Sequence, residues 1–260
     1  MPTTTTSQRI RYEVCVDSAA GARVAQDAGA HRVELCSALF EGGVTPSAGL
    51  IEATVAAAPA IGVHVLIRPR GGDFIYDDDE IRVMVRDIET AAALGAHGVV
   101  IGALTAEGDI DTPTMQRMLT AASGLSVTFH RAFDMARDQF AALKEMTALG
   151  VHRVLTSGGE STALEGAPRL AELIRAADDR VVIMPGGGIN ARNTQRILRI
   201  TGAQELHFSA GATVDSPALH RNLRLTMGGS LRNDEFQRRV TDRSAVDGIL
   251  AAARAARDLE

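Results

Sequence analysis

Short runs of β-branched and other apolar residues alternate along the whole chain with Ala- and Leu-rich stretches of helical spacing. The strand-like runs fall at Tyr12–Val16, Arg32–Cys36, Val63–Arg68, Gly98–Ile101, Val127–His130, Arg153–Thr156, Val181–Met184 and Glu205–Phe208. Between them, spacings such as Ile81-Val85-Ile88-Ala92 and Met115-Met118-Leu119-Ala122 gather apolar side chains on one helix face. Strict alternation of strand and helix implies parallel βαβ units, and eight such units close into a (β/α)8 TIM barrel. No linker divides the chain. Residues 11–260 therefore read as one barrel behind a disordered tail at 1–10. The stretch 211–243 lacks periodicity and reads as a long loop or arm, and 244–258 as a final helix that seals the barrel.

A weak internal repeat supports that reading. Gly29-Ala30-His31, Gly95-Ala96-His97, Gly150-Val151-His152 and Gly202-Ala203-Gln204 each stand just before an even-numbered strand. Glycine past a helix end supplies a left-handed turn, and the next strand starts at once. The repeat places His31, His97 and His152 on the face of the barrel reserved for stability.

Within the strands the pattern is not uniformly apolar, as it is in most parallel sheets. Val14 and Val16 share one face, with Glu13, Cys15 and Asp17 on the other; Val33 and Leu35 oppose Glu34 and Cys36. Leu66 and Arg68, Thr128 and His130, and His207 and Ser209 continue the polar parity. The apolar parity must pack against the helices, so the polar one faces the lumen. Buried charges there need partners, and Glu13, Asp17 and Glu34 are set against Arg68 and His130. The polar residues concentrate late in their strands, where barrels of this kind place binding sites.

Composition narrows the partners. A net charge of −5 lacks the positive footprint that nucleic acid or an anionic membrane requires. No apolar run is long enough to span a bilayer, and the N-terminus does not read as a signal peptide. Two cysteines are too few for a disulfide framework, which points to reduced thiols in the cytoplasm.

Three clusters carry candidate chemistry. Gly186, Gly187 and Gly188 follow the seventh strand and, with Ser209 after the eighth, occupy the usual phosphate position of barrels; Asn190 is placed to cap the following helix. Arg68 and Arg70, on a Pro/Gly-rich loop after the third strand, suit a carboxylate or phosphate, while Asp77 to Glu80 beyond them read as the first turn of a helix. His130 is the best general acid/base in the chain, with Glu34 beside it as a second proton carrier. Together they describe a barrel enzyme or binder for a small anionic metabolite, a phosphorylated one included. Cys15 and Cys36 lie at matching places on neighbouring strands and could converge on one soft metal ion. Schiff-base aldolase chemistry is disfavoured, because the sole lysine, Lys144, falls on a helix.

The segments Glu13-Val14-Cys15-Val16-Asp17-Ser18, Val33-Glu34-Leu35-Cys36-Ser37, Glu41-Gly42-Gly43-Val44-Thr45-Pro46-Ser47, Arg68–Phe74, Thr128–Asp134, Val154–Gly159 and Met184–Ile189 resemble the CutC family of copper homeostasis proteins. The resemblance runs from about Tyr12 to Ala210. It implies a cytoplasmic TIM barrel that handles copper, with Cu(I) as the ion, Cys15 and Cys36 as ligands, and a homo-oligomeric assembly.

Overall fold

All eight expected strands form. They are β1 (Arg11–Val16), β2 (Arg32–Leu35), β3 (Gly62–Leu66), β4 (Gly98–Ile101), β5 (Ser126–Phe129), β6 (Arg153–Thr156), β7 (Val182–Pro185) and β8 (Glu205–Phe208). The computed structural model describes residues 10–225, 227 and 234–257. The tail expected at the N-terminus lies outside these except for Ile10, which is buried in the core. The outer helices are α1 (Ala19–Ala28), α2 (Ala48–Ala57), α3 (Asp78–Ala93), α4 (Thr112–Ala121), α5 (Gln139–Ala148), α6 (Ala167–Ala177), α7 (Thr194–Thr201) and α8 (Arg243–Arg257). Among the described residues, no helix is long and apolar enough to cross a membrane.

The strands are parallel and ordered β7-β6-β5-β4-β3-β2-β1-β8, so the barrel is nearly closed, with its seam between β7 and β8. Its wall parity is apolar as the pattern requires: Val14, Val33, Val63, Val99, Val127 and Phe129 are buried against the helices. Helix starts follow from short polar residues. Ser18, Ser47, Asp111 and Asp138 each accept a backbone N–H of the first turn, and Asp77 with Glu80 completes a capping box at α3.

The repeat has a structural explanation at the bottom of the barrel. Gly29, Gly95, Gly150 and Gly202 all take φ between +66° and +92°, which turns the chain sharply into the next strand. The histidine two residues later then caps the start of the preceding strand. His31 Nδ1 accepts from Tyr12 N, His97 Nδ1 from Val63 N, and His152 Nδ1 from Val127 N, at 3.1–3.2 Å. These rings satisfy strand-end donors that would otherwise be orphaned.

Two local expectations are revised. Asn190 does not cap α7: its side chain accepts from Arg192 N within a preceding turn, and the helix begins at Thr194. The stretch after β8 also contains regular structure. β9 (Gly211–Asp215) and β10 (Gln237–Thr241) pair as an antiparallel ribbon, with Gly211 opposite Thr241 and Asp215 opposite Gln237. The ribbon returns the chain to α8, and Asp242 N bonds Ala210 O where the two strands leave the barrel.

Candidate metal centre and barrel mouth

The lumen is built in layers. Near the bottom, Arg32 Nε donates to Glu13 Oε2 at 2.5 Å, and its Nη2 reaches across the barrel to Glu205 and to Met184 Sδ. Arg153 Nε meets the same Glu205 at 3.2 Å and donates through Nη1 to Ser126 Oγ at 2.8 Å. Two carboxylates and two guanidinium groups thus neutralise one another where none is more than about a tenth exposed. His64 lies 3.8 Å from Glu13; burial pushes its pKa down to about 3, so it is neutral. This arrangement corrects the pairing expected from sequence. Glu13 is matched by Arg32 and His207 rather than by Arg68 or His130.

Above this layer sits the thiol pair. Parallel register sets Cys15 opposite Glu34, and the two sulfurs, one on β1 and one just past β2, stand 3.8 Å apart. Cys36 is packed against Leu66 and Val100. Cys15, Glu34 and Cys36 present their ligand atoms within 4.8 Å of one another. His207 bridges the carboxylates behind them, with Nδ1 2.7 Å from Glu13 Oε1 and Nε2 3.6 Å from Glu34 Oε2.

The electrostatics of this group are set by its own members. The hydrogen bond from Cys36 draws the pKa of Cys15 down to about 5, against burial, with further help from His207. The same bond raises that of Cys36, which remains a thiol and donates to the Cys15 thiolate. Burial, reinforced by Cys15, pushes Glu34 up to about 8. Burial opposes a charge on His207, but Glu34, Cys15 and Glu13 together raise its pKa well above the ordinary value. The resting state is a thiolate beside an imidazolium, with a protonated carboxyl next to both.

Cys15 and His207 form part of the floor of a cavity of about 740 Å³ at the mouth. Gly187, Gly188 and Ser209, singled out in the sequence, line the same cavity. Gly186 instead faces inward, where a Cβ would meet Leu155 and His207. Arg68 and Arg70 are not part of the lining. Arg68 donates to the carbonyls of Glu41, Gly43 and Gly72, and Arg70 is held by Glu80 and Asp73. The two arginines fasten the loops after β2 and β3.

His130 belongs neither to the Cys15–Glu34–Cys36 cluster nor to the cavity lining. Its Nδ1 accepts from Ala132 N, and the ring packs against Phe74 and Phe129. Burial, with the nearby Arg68 charge, lowers its pKa to about 3. Sequence reasoning missed Arg32, Arg153 and Glu205, and it set His207 on the lumen face without giving it a role. Each has the lumen parity, and that alternation was the available signal.

Fold and site together define a parallel (β/α)8 barrel whose lumen ends, on the side where the strands finish, in a thiol pair. The CutC family model matches residues 10–212, and the chain belongs to that family. The copper homeostasis protein cutC homolog of Homo sapiens is 50% identical over 242 residues, covering 93% of this chain and 88% of that protein. A family protein CutC from Bacteroides thetaiotaomicron is 46% identical over 245 residues, covering 94% and 98% respectively. The crystal structure of a copper homeostasis protein CutC from Streptococcus agalactiae superimposes with a TM-score of 0.74 at 37% identity. That match covers 77% of this chain and 98% of the other.

Proposed function

We propose that the chain is a cytoplasmic Cu(I)-binding protein of copper homeostasis, with Cys15 and Cys36 as the ligands. The observation that carries this reading is the 3.8 Å separation of two sulfurs, one of which, Cys15, lines an open cavity while Cys36 is buried beside it. Cu(I) is a soft ion that selects thiolates over oxygen donors, so Glu34 is the weaker third group of the cluster. Both thiols are free, consistent with a reducing compartment. Binding must displace the proton of Cys36; the Cys15 thiolate is already formed.

The test is an anaerobic Cu(I) titration against a chromophoric chelator. One Cu(I) per chain is expected, and the Cys15→Ser/Cys36→Ser variant should lose it. Equal binding by that variant, or no stoichiometric binding by the native chain, would refute the assignment.

We also propose that the protein works as a homo-oligomer. Leu219, Leu223, Leu225 and Met227, which follow β9, are large apolar side chains left exposed. Light scattering behind size exclusion should give a mass of at least two chains; a monomer at micromolar concentration would refute this.

A further inference from the structure

The cavity above the thiol pair holds more hydrogen-bond donors than a bare metal ion would use. The backbone N–H groups of Gly187, Gly188 and Ile189 meet no acceptor among the described residues. They belong to a turn in which Gly187 and Gly188 take φ of +102° and +70°, a conformation that side-chain-bearing residues resist. Beside the turn lies Arg131. Asp134 holds its Nε at 2.7 Å and Ser157 Oγ holds Nη2 at 2.7 Å, so the side chain is fixed while Nη1 keeps no acceptor among the described residues. A Cβ on Gly187 would sit 3.4 Å from that same Nη1.

The ribbon contributes a second cation. The side chain of Arg239, on β10, forms no hydrogen bond or ion pair among the described residues, and its guanidinium lies over Gly211, where a Cβ would come within 2.7 Å. The Ser209 hydroxyl is a further donor without a partner among the described residues. Asp17 is the carboxylate of this lining. Apolar surface from Leu39, Phe40, Ile189 and Val240 completes it.

We propose that this cavity binds a small phosphate monoester. Its phosphate would lie among the Gly187–Ile189 amides, Arg131 and Arg239, with its carbon skeleton against the apolar residues. Three backbone donors and two guanidinium groups suit a tetrahedral dianion better than a planar carboxylate, which a single fork saturates. The volume is that of a small-molecule site. The inference goes beyond copper binding and does not depend on it, since none of the anion donors is a thiol.

Calorimetric titration of the full chain with glycerol 3-phosphate, inorganic phosphate and succinate tests it. The ester is expected to bind one per chain with Kd on the order of 1 mM or tighter, and both other anions more weakly. Arg239→Ala should weaken the ester about tenfold or more while leaving Cu(I) stoichiometry intact, and Arg239→Lys should weaken it less. Cys15→Ser/Cys36→Ser should retain the ester and lose Cu(I), so the two assignments fail separately. The site is refuted by an absence of saturable ester binding, or by undiminished affinity in an Arg131→Ala/Arg239→Ala variant that keeps the native circular dichroism. Succinate or inorganic phosphate binding as tightly as the ester would overturn the assignment to a phosphate monoester.

Discussion

Arg32→Ala should destabilise the barrel by about 3–5 kcal/mol in urea unfolding, the usual cost of removing one partner from a buried ion network. Arg32 joins Glu13 on β1 to Glu205 on β8, so its loss leaves Glu13 without its guanidinium partner and Glu205 with Arg153 alone. The penalty arises from an uncompensated charge rather than from lost packing. A variant that removes both members of the Arg32–Glu13 pair and keeps Glu205 for Arg153, Arg32→Met with Glu13→Gln, should therefore be closer to native than Arg32→Ala is. If Arg32→Ala costs less than about 1 kcal/mol, a figure typical of exposed pairs, the lower layer is wetter and weaker than its burial indicates.

Acidification should unfold the protein steeply. His64 and His130 each have a folded pKa of about 3, mainly because burial disfavours the imidazolium. An unfolded histidine titrates near 6.5, so below that pH the unfolded chain holds two protons that the folded chain excludes. Stability is therefore lost as pH falls, continuing until the folded value is reached. Two such groups give a slope of about 2.7 kcal/mol per pH unit between about pH 6 and about pH 5.

Other groups do not remove this slope. His207, with its raised pKa, is protonated in both states over that range. Cys15, drawn down to about 5, and Glu34, pushed up to about 8, contribute with opposite sign and offset each other. Urea midpoints measured across the range should show the full slope, and His130→Asn should reduce it by about half. A stability profile flat from pH 6.5 to 4.5 would show that both imidazoles are hydrated.

The barrel was legible because its signals are local and repeated. Eight apolar runs, helix caps such as Ser18 and Asp77, and glycines at Gly29, Gly95, Gly150 and Gly202 all report on backbone geometry within a few residues. Strand parity also identified the lumen face, and with it Cys15, Glu34 and Cys36. What parity does not carry is height along the barrel axis. Pairing across a lumen depends on strand stagger, so Glu13 was matched with Arg68, which instead ties the loops around Gly43 and Gly72. Its true partners, Arg32 and His207, share its layer only once the register of β1 with β2 and β8 is known.

The ribbon was hidden for a different reason. Its strands, Gly211–Asp215 and Gln237–Thr241, are joined by a long connection with no two-residue turn to announce a hairpin, so the arrival of Arg239 at the mouth could not be read locally.

The ion layer beneath the thiols closes the barrel from below. With Glu13, Arg32, Arg153 and Glu205 filling the lumen, the space above it is a blind chamber and not a conduit. Whatever reaches Cys15 must arrive and leave through the same doorway. A cargo held there can be passed on only by a recipient that comes to that doorway and exchanges ligands at the rim, so traffic through the site is sequential. An occupant of the chamber would act as its stopper.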